Sequence, residues 1–370
     1  MKRVLFLIRS LGAGGAQRVL VDTVNALADH YEITVQSIYG GEGLQHELAP
    51  GVRYRAIIGT RCRLWAMLKG FLIRRVLPPR LTYRACINDG YDIEIAYLEG
   101  EATRLLSRST NRRARRIAFV HTDMMDNFTS QGVYRSFDEH RAAYLAYDRI
   151  VCVSEHTRRR FTERFGISDK VCVAYNFCDG ARVRRLSAAA ATGFVRGSGR
   201  QLLTVSNLRP EKRHVLLLEV LSALRDEGCD FTLHIVGDGP ERAAIEAAVL
   251  RLSLGERVRL LGHCDNPYPY MRESDVLIVA SSAEGYGMVV QEAGLLGLPV
   301  LSTDCGGIHE AAAGRCDVTI VPNSAQGLKD GLRALLTHTT APMAADNNPA
   351  AGEEITPSAA IGQTKSLTEE

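Results

Sequence analysis

Short apolar runs alternate along the chain with longer segments whose apolar residues recur at helical spacing. Val4–Ile8 is a continuous apolar run, as suits a strand buried on both faces. The turn Gly12-Ala13-Gly14-Gly15 follows, then a segment from Ala16 with Leu20, Val24 and Leu27 on one face, then a second run at Ile33–Ser37. In one sheet such a β-α-β unit means parallel strands and a right-handed crossover. Runs at Ile93–Tyr97, Ile117–Val120, Ile150–Val153 and Val171–Ala174 extend the pattern, with helices between several of them, notably Glu155–Phe165. From 178 to 200 the pattern breaks into arginines, an Ala188–Ala191 run and Gly193, Gly197 and Gly199. It then restarts: strands at Leu202–Ser206, Phe231–Val236, Val258–Leu261, Val276–Ala280 and Val300–Ser302, and helices at Val215–Glu227, around Ile245–Leu252 and at Met288–Leu296.

The expected fold class is therefore α/β, with two Rossmann-like doubly wound domains facing a cleft. One spans 1–177, an interdomain connection spans 178–200, and the second domain spans 201–337. Residues 338–370 contain almost no large apolar side chains and cannot offset the entropy of ordering, so a disordered tail is expected.

Composition narrows the class. With 370 residues, 46% hydrophobic and 24% charged, the chain can bury two ordinary cores and reads as globular. A net charge of +3 is too small to argue for nucleic acid. The nine cysteines show no CxxC pair and no His/Cys cluster at zinc spacing, which suits free thiols in a reducing compartment. Val4–Ile8 is too short for a signal-peptide core, and no stretch has transmembrane length. A cytoplasmic protein touching a membrane only from its surface is expected.

The candidate chemistry lies at strand ends. Glu284 falls in the turn Ser281–Gly285 after a strand, at the carboxyl edge where open α/β sheets bind ligands. Glu292 follows in the second turn of the next helix. Gly285 and Gly287 leave room beside the exposed N–H groups of that helix start, a phosphate-binding arrangement that also involves Tyr286, Met288 and Val289. Arg209 and Lys212 are two cations three residues apart just past a strand end; taken alone they also fit an exposed basic loop.

These segments resemble the retaining glycosyltransferases of family four. Glu284 through Glu292, followed by Gly297-Leu298-Pro299-Val300, is similar to that family's E-x7-E signature. Asn207-Leu208-Arg209-Pro210-Glu211-Lys212 resembles its diphosphate motif. Val151-Cys152-Val153-Ser154-Glu155, Tyr175-Asn176, Val236-Gly237-Asp238-Gly239-Pro240 and Asp304-Cys305-Gly306-Gly307 with Glu310 resemble its other recurring segments. The match runs from Leu5 to about Leu336, and Tyr91–Ala96 with Phe119–Asp123 is similar to the branch that builds bacterial surface and capsular polysaccharides.

The resemblance implies the GT-B fold and a retaining, metal-independent hexosyltransferase. It would use a nucleotide-diphosphate sugar, UDP by preference, and a polyprenyl-diphosphate-linked saccharide acceptor, with no cofactor required. It implies that Arg209 and Lys212 bind the diphosphate, Glu292 the ribose and Glu284 the transferred sugar, while Gly14 and Gly15 let backbone N–H groups approach donor and acceptor. His121, two residues before Asp123, could be a general base, a metal ligand with that aspartate or a strand cap; the resemblance places it beside the sugar as a hydrogen-bonding group. No Asp-x-Asp or other carboxylate set points to a metal. Tyr268 and Tyr270 fit either packing near the donor base or closing the core as loop aromatics.

A last feature concerns partners. Arg53, Arg55, Arg61, Arg63, Lys69, Arg74, Arg75, Arg80 and Arg84 occur with no intervening acid and are interleaved with Trp65, Phe71 and aliphatic residues. Such a segment suits an anionic membrane surface, at about 1 kcal/mol per basic residue near anionic lipid. Trp65, Phe71, Arg74 and Arg75 are the expected membrane and acceptor face, at the inner side of a bacterial membrane, and Arg112, Arg113, Arg115 and Arg116 could add to it. The alternative weighed against this enzyme is an impaired nucleotide-binding protein of the same fold, because 341–370 stands where family members carry further helical sequence. A sugar-nucleotide epimerase would not be expected to pair Glu284 and Glu292 with Arg209 and Lys212, and a pyridoxal-phosphate phosphorylase would need a longer chain.

Overall fold

The computed structural model describes residues 1–12, 14–41, 43–59, 79–87, 90–125, 132–315 and 317–337. They form two units, one ending at Phe177 and the other starting at Cys178. The tail 338–370 and the face residues Trp65, Phe71, Arg74 and Arg75 lie outside the described residues.

The first unit runs β1 (Arg3–Ile8), α1 (Gly15–Leu27), β2 (Glu32–Tyr39), β3 (Arg53–Ile58), α2 (Pro79–Cys86), β4 (Ile93–Ala96), α3 (Glu101–Leu106), β5 (Arg115–Val120), α4 (Phe137–Leu145), β6 (Arg149–Cys152), α5 (Glu155–Phe165) and β7 (Val171–Val173). Its strands pair in parallel in the order β3-β2-β1-β4-β5-β6-β7. The apolar runs of β1 and β4 are buried on both faces, as parallel strands covered by helices must be. Local signals set the helix ends. Ser154 caps α5 by accepting from the Thr157 amide at 3.0 Å, and Gly166 closes it at φ 61° in the left-handed region.

The second unit runs α6 (Gly180–Ser187), β8 (Arg200–Val205), α7 (His214–Asp226), β9 (Phe231–Val236), α8 (Arg242–Arg251), β10 (Val258–Gly262), α9 (Tyr268–Glu273), β11 (Val276–Val279), α10 (Met288–Leu295), β12 (Val300–Thr303), α11 (Ile308–Ala311), β13 (Val318–Val321) and α12 (Ala325–Thr337). The strand order is β10-β9-β8-β11-β12-β13, all parallel. Leu217, Leu218, Leu221 and Leu224 of α7 pack with Ile245, Ala248 and Val249 of α8 on Leu233 and Ile235 of β9. Emptying one such site by Leu→Ala typically costs about 2–5 kcal/mol.

Three sequence expectations change. Arg53 and Arg55 belong to the edge strand β3, where Arg53 pairs with Glu32 at 2.9 Å and Tyr54 shares a 2.8 Å hydrogen bond with Ser37. Arg80 and Arg84 sit exposed on α2, whose buried Tyr83 donates to Glu94 at 2.5 Å. These four arginines are thus strand-edge and helix-surface charges. The stretch 178–200 carries the helix α6, capped by Asp179, which accepts from the Arg182 amide at 2.9 Å, with Val183 buried. Finally, Tyr268 and Tyr270 lie on a helix, because Pro269 in its first turn lacks an N–H that the helix would leave unpaired anyway.

Candidate functional site

In both sheets the chain order reverses between two neighbouring strands, β1 and β4 in the first unit and β8 and β11 in the second. The carboxyl ends of such strands open a crevice, which is where sheets of this kind bind ligands.

In the second unit the loop after β8 brings Lys212, and the turn after β11 brings Glu284. They meet there: Lys212 Nζ lies 2.5 Å from Glu284 Oε1, and Ser281 Oγ donates to the same oxygen at 2.7 Å. Both side chains are largely shielded, at 19% and 14% exposure. The two loops are stapled together. Arg213, in the left-handed region at φ 51°, turns the chain into α7 and donates to the carbonyls of Ala280 at 3.0 Å and Ser281 at 3.1 Å, and to Asn323 Oδ1. The Ser282 amide donates to the Glu211 carbonyl at 2.8 Å, and Thr303 Oγ1 donates to the Ser281 carbonyl at 2.6 Å. Gly306 shows why the segment after β12 needs glycine. Its φ is +57°, and a Cβ there would stand 1.6 Å from the Glu284 carbonyl oxygen, which accepts from the Gly307 amide at 3.2 Å.

Gly287, at φ 93°, is the N-cap of α10, and no side chain caps that helix start. Met288 and Val289 are its first half-buried residues, after Gly285 in the turn. The Tyr286 ring is buried, and its hydroxyl accepts from Gln291 at 2.6 Å. It is therefore a core side chain, and its backbone is the part it can offer a ligand. Glu292, half-buried in the second turn of α10, accepts from Tyr268 at 3.0 Å, and Tyr268 accepts from Arg182 Nη2 at 3.1 Å. Tyr268 is only 2% exposed, and the Tyr270 hydroxyl donates to the Thr192 carbonyl at 2.7 Å. Both rings are thus buried, and the Tyr268 hydroxyl is engaged with Glu292 and Arg182.

Arg209 is exposed, and among the described residues its guanidinium makes no hydrogen bond or ion pair. It borders a cavity of about 210 Å³ with Pro210, Arg213 and His214. His214 is buried beside Lys212; burial and that charge push its pKa down to about 4, so its ring is neutral.

The first unit offers different groups. Gly14 is the N-cap of α1, and Gly15 its first residue. A Cβ on Gly15 would meet nothing within 4 Å, so the protein's own packing does not require glycine there. After β4, the Glu99 carboxylate accepts from the amides of His121 and, at 2.9 Å, Thr122; burial raises its pKa despite these bonds. His121 follows β5 and packs on Tyr97, with ring centroids 4.8 Å apart. Burial pushes its pKa down to about 3. Its ring bonds the Tyr97 backbone, while the buried Nε2 has no partner. A neutral ring that donates from Nδ1 keeps a lone pair at Nε2 for a ligand hydroxyl.

Asp123 does not join His121. Its carboxylate takes hydrogen bonds from His156 at 2.9 Å, Arg160 at 3.1 Å and the Met125 amide at 2.8 Å, and these outweigh its burial to hold its pKa near 2. This geometry removes the base and metal pairings of His121 with Asp123. Sequence reasoning missed Glu99 and Ser281, although each lies just past a strand end, and Arg213, at the start of α7; nothing in the sequence marked Arg182. Among the described residues no group of three or more His, Cys, Asp or Glu could hold a metal ion, and no helix is long and apolar enough to cross a membrane.

Both halves of the chain match known protein families. Residues 13–182 match the family described as Glycosyltransferase Family 4, and residues 199–338 match Glycosyl transferases group 1. A Campylobacter jejuni protein named N-acetylgalactosamine-N,N'-diacetylbacillosaminyl-diphospho-undecaprenol 4-alpha-N-acetylgalactosaminyltransferase is 27% identical over 82% of this chain and 81% of its own. An N-acetyl-alpha-D-glucosaminyl L-malate synthase of Bacillus anthracis is 31% identical over 44% of this chain and 43% of its own. Among solved structures, Anabaena HepE in complex with UDP and glucose has a TM-score of 0.74 at 20% identity, each chain covered completely, a likeness of fold. With two family matches that together span most of its length and two sheets of this order, the chain is a glycosyltransferase of the family 4 type.

Proposed function

We propose that the protein transfers a hexose from a UDP-sugar to a lipid-linked glycan, with retention at the anomeric carbon, as a step in bacterial surface-polysaccharide synthesis. The observation that carries this reading is the Lys212–Glu284 pair, held by Ser281 and Arg213 at the β8–β11 switch point. Breaking a glycosidic bond to a diphosphate leaves negative charge on the leaving group, and fixed cations stabilise that charge as it develops. Lys212 and Arg209 supply them without a metal or other cofactor. The uncapped N–H groups at the start of α10 add a further anion contact beside Gly285 and Gly287. Glu284 accepts from hydroxyls of the transferred sugar, and Glu292 from those of the ribose.

Roles in the first unit are assigned separately. Gly15 leaves the start of α1 open, so that backbone N–H groups there can reach a substrate beside Gly14, whose own space is shared with the Gln17 side chain, and His121 Nε2 accepts from a sugar hydroxyl. The lipid-linked acceptor is supported by the name of the Campylobacter relative and by the basic, aromatic sequence pattern of 61–75. Work at the cytoplasmic face of the membrane follows from that acceptor. The test is a donor screen with UDP- and GDP-sugars and membrane-extracted lipid-linked acceptors, with the product's anomeric configuration read by NMR. Transfer from a UDP-sugar with retention is expected. Inversion, transfer from GDP-sugars alone, or transfer only to soluble acceptors would contradict the corresponding part of the reading.

A further inference from the structure

We infer that Arg182, acting through Tyr268, is a positioning residue that sets the donor affinity of Glu292. The inference rests on the reading of Glu292 as the ribose contact. Three side chains form one line of hydrogen bonds within the second unit: Arg182 Nη2 to Tyr268 Oη at 3.1 Å, and Tyr268 Oη to Glu292 Oε1 at 3.0 Å. The direction of the line is fixed by chemistry. A guanidinium has donors and no acceptor, so the phenol oxygen must accept from Arg182. The single phenol proton is then committed to the carboxylate.

Tyr268 is 2% exposed, and burial followed by the charge of Glu292 raises its pKa, so the proton stays in place. The Arg182 guanidinium also lies over the Tyr268 ring, 5.6 Å from its centroid, which locks both planes. Arg182 is itself anchored, since its amide donates to the cap Asp179 at the start of α6. A cation one hydrogen bond away polarises the phenol and strengthens its bond to Glu292. The result is a carboxylate held in one rotamer before the nucleotide arrives, so that less ordering remains to be done on binding.

The experiment measures UDP and 2′,3′-dideoxy-UDP affinity by calorimetry, and donor KM and kcat by transfer assay, on the full chain. Arg182→Met and Tyr268→Phe should each weaken UDP by about tenfold while changing dideoxy-UDP by less than about twofold. Donor KM should rise with kcat nearly unchanged, the signature of lost uniform binding. Arg182→Lys, which keeps a donor, should recover part of the loss, and Arg182→Met should add nothing in a Glu292→Gln background. Tyr268→Phe keeps the ring in its packing and so serves if Arg182→Met does not fold. Wild-type UDP affinity in both variants, or equal losses for UDP and dideoxy-UDP, would overturn the inference. If Glu292→Gln itself leaves the preference for UDP over dideoxy-UDP intact, the ribose assignment fails, and this inference with it.

Discussion

The two units share a strand order around their switch points but equip those edges differently. In the second unit the edge is ionic: Lys212 faces Glu284, and Glu292 ends a line that begins at Arg182. In the first unit neutral groups sit beside ion pairs, Arg9 with Glu101 at 3.6 Å and Asp123 with Arg160 at 3.1 Å. Gly15 leaves open space, His121 is held uncharged, and Glu99 Oε1 accepts from the backbone amides of His121 and Thr122. The same scaffold thus provides a place for ligands in each half, while the side chains decide what can be done there. The shielded Lys212–Glu284 pair belongs to the second unit, while the first sets an uncharged His121 ring and the open Gly15 turn near its own strand ends.

The contrast can be broken at several points. Lys212→Met should lower the transfer rate by about 10²–10³-fold, the usual size for loss of one preorganised charge stabiliser. It also leaves Glu284 shielded without its cation. A loss below about tenfold would mean that the ionic edge is structural. Two glycines give the next comparison. Gly306→Ala forces a Cβ onto the Glu284 carbonyl at a positive φ, and should destabilise the second unit by about 2 kcal/mol or more in urea titration. The Cβ that Gly15→Val adds meets nothing within 4 Å among the described residues, so its thermal midpoint should stay near wild type while transfer falls by about tenfold as the start of α1 is closed to substrate. A shift in melting for Gly15→Val would show that this glycine serves the fold.

The smallest effect is one of pH. The folded pKa of His121, about 3, lies below the ordinary value of 6.5, so its contribution to stability is complete above about pH 6.5 and is lost as pH falls toward 3. Asp123, held near 2 against 3.8, acts in the same sense over a lower window, with stability lost between about pH 4 and 2. His121→Gln should therefore flatten the acid slope of stability between about pH 6 and 4, by at most about 1.4 kcal/mol per pH unit. An unchanged slope would mean that His121 is charged in the folded protein.

Much of the scaffold was legible because parallel strands buried on both faces must read as unbroken apolar runs. β1 and β11 do so within a residue or two, while β9 buries Thr232 and His234 among its apolar residues. β3 escaped because it is an edge strand in which Arg53, Arg55 and Ala56 are exposed, and its arginines resembled an interfacial segment. α6 escaped because eight residues with Val183 as their one buried large apolar side chain show no periodicity. Pro267 and Pro269 disguised α9 as a loop. For the candidate site, the charged residues at the ends of β8 and β11 could be picked out by position. Their direct pairing, and the line from Arg182 to Tyr268 across 86 positions of sequence, could not, since long-range hydrogen bonds leave no local pattern.

The proposed role of the ionic pair at the β8–β11 switch point is the transfer chemistry itself. It is tested most directly by the steady-state transfer rate of Glu284→Gln with a UDP-sugar donor, measured beside its circular dichroism and thermal midpoint. A loss of about 10²-fold or more with the fold intact is expected, because the amide keeps the shape but cannot hold Lys212 or accept from the sugar as a carboxylate does. Turnover at the wild-type rate in a folded Glu284→Gln protein would contradict it.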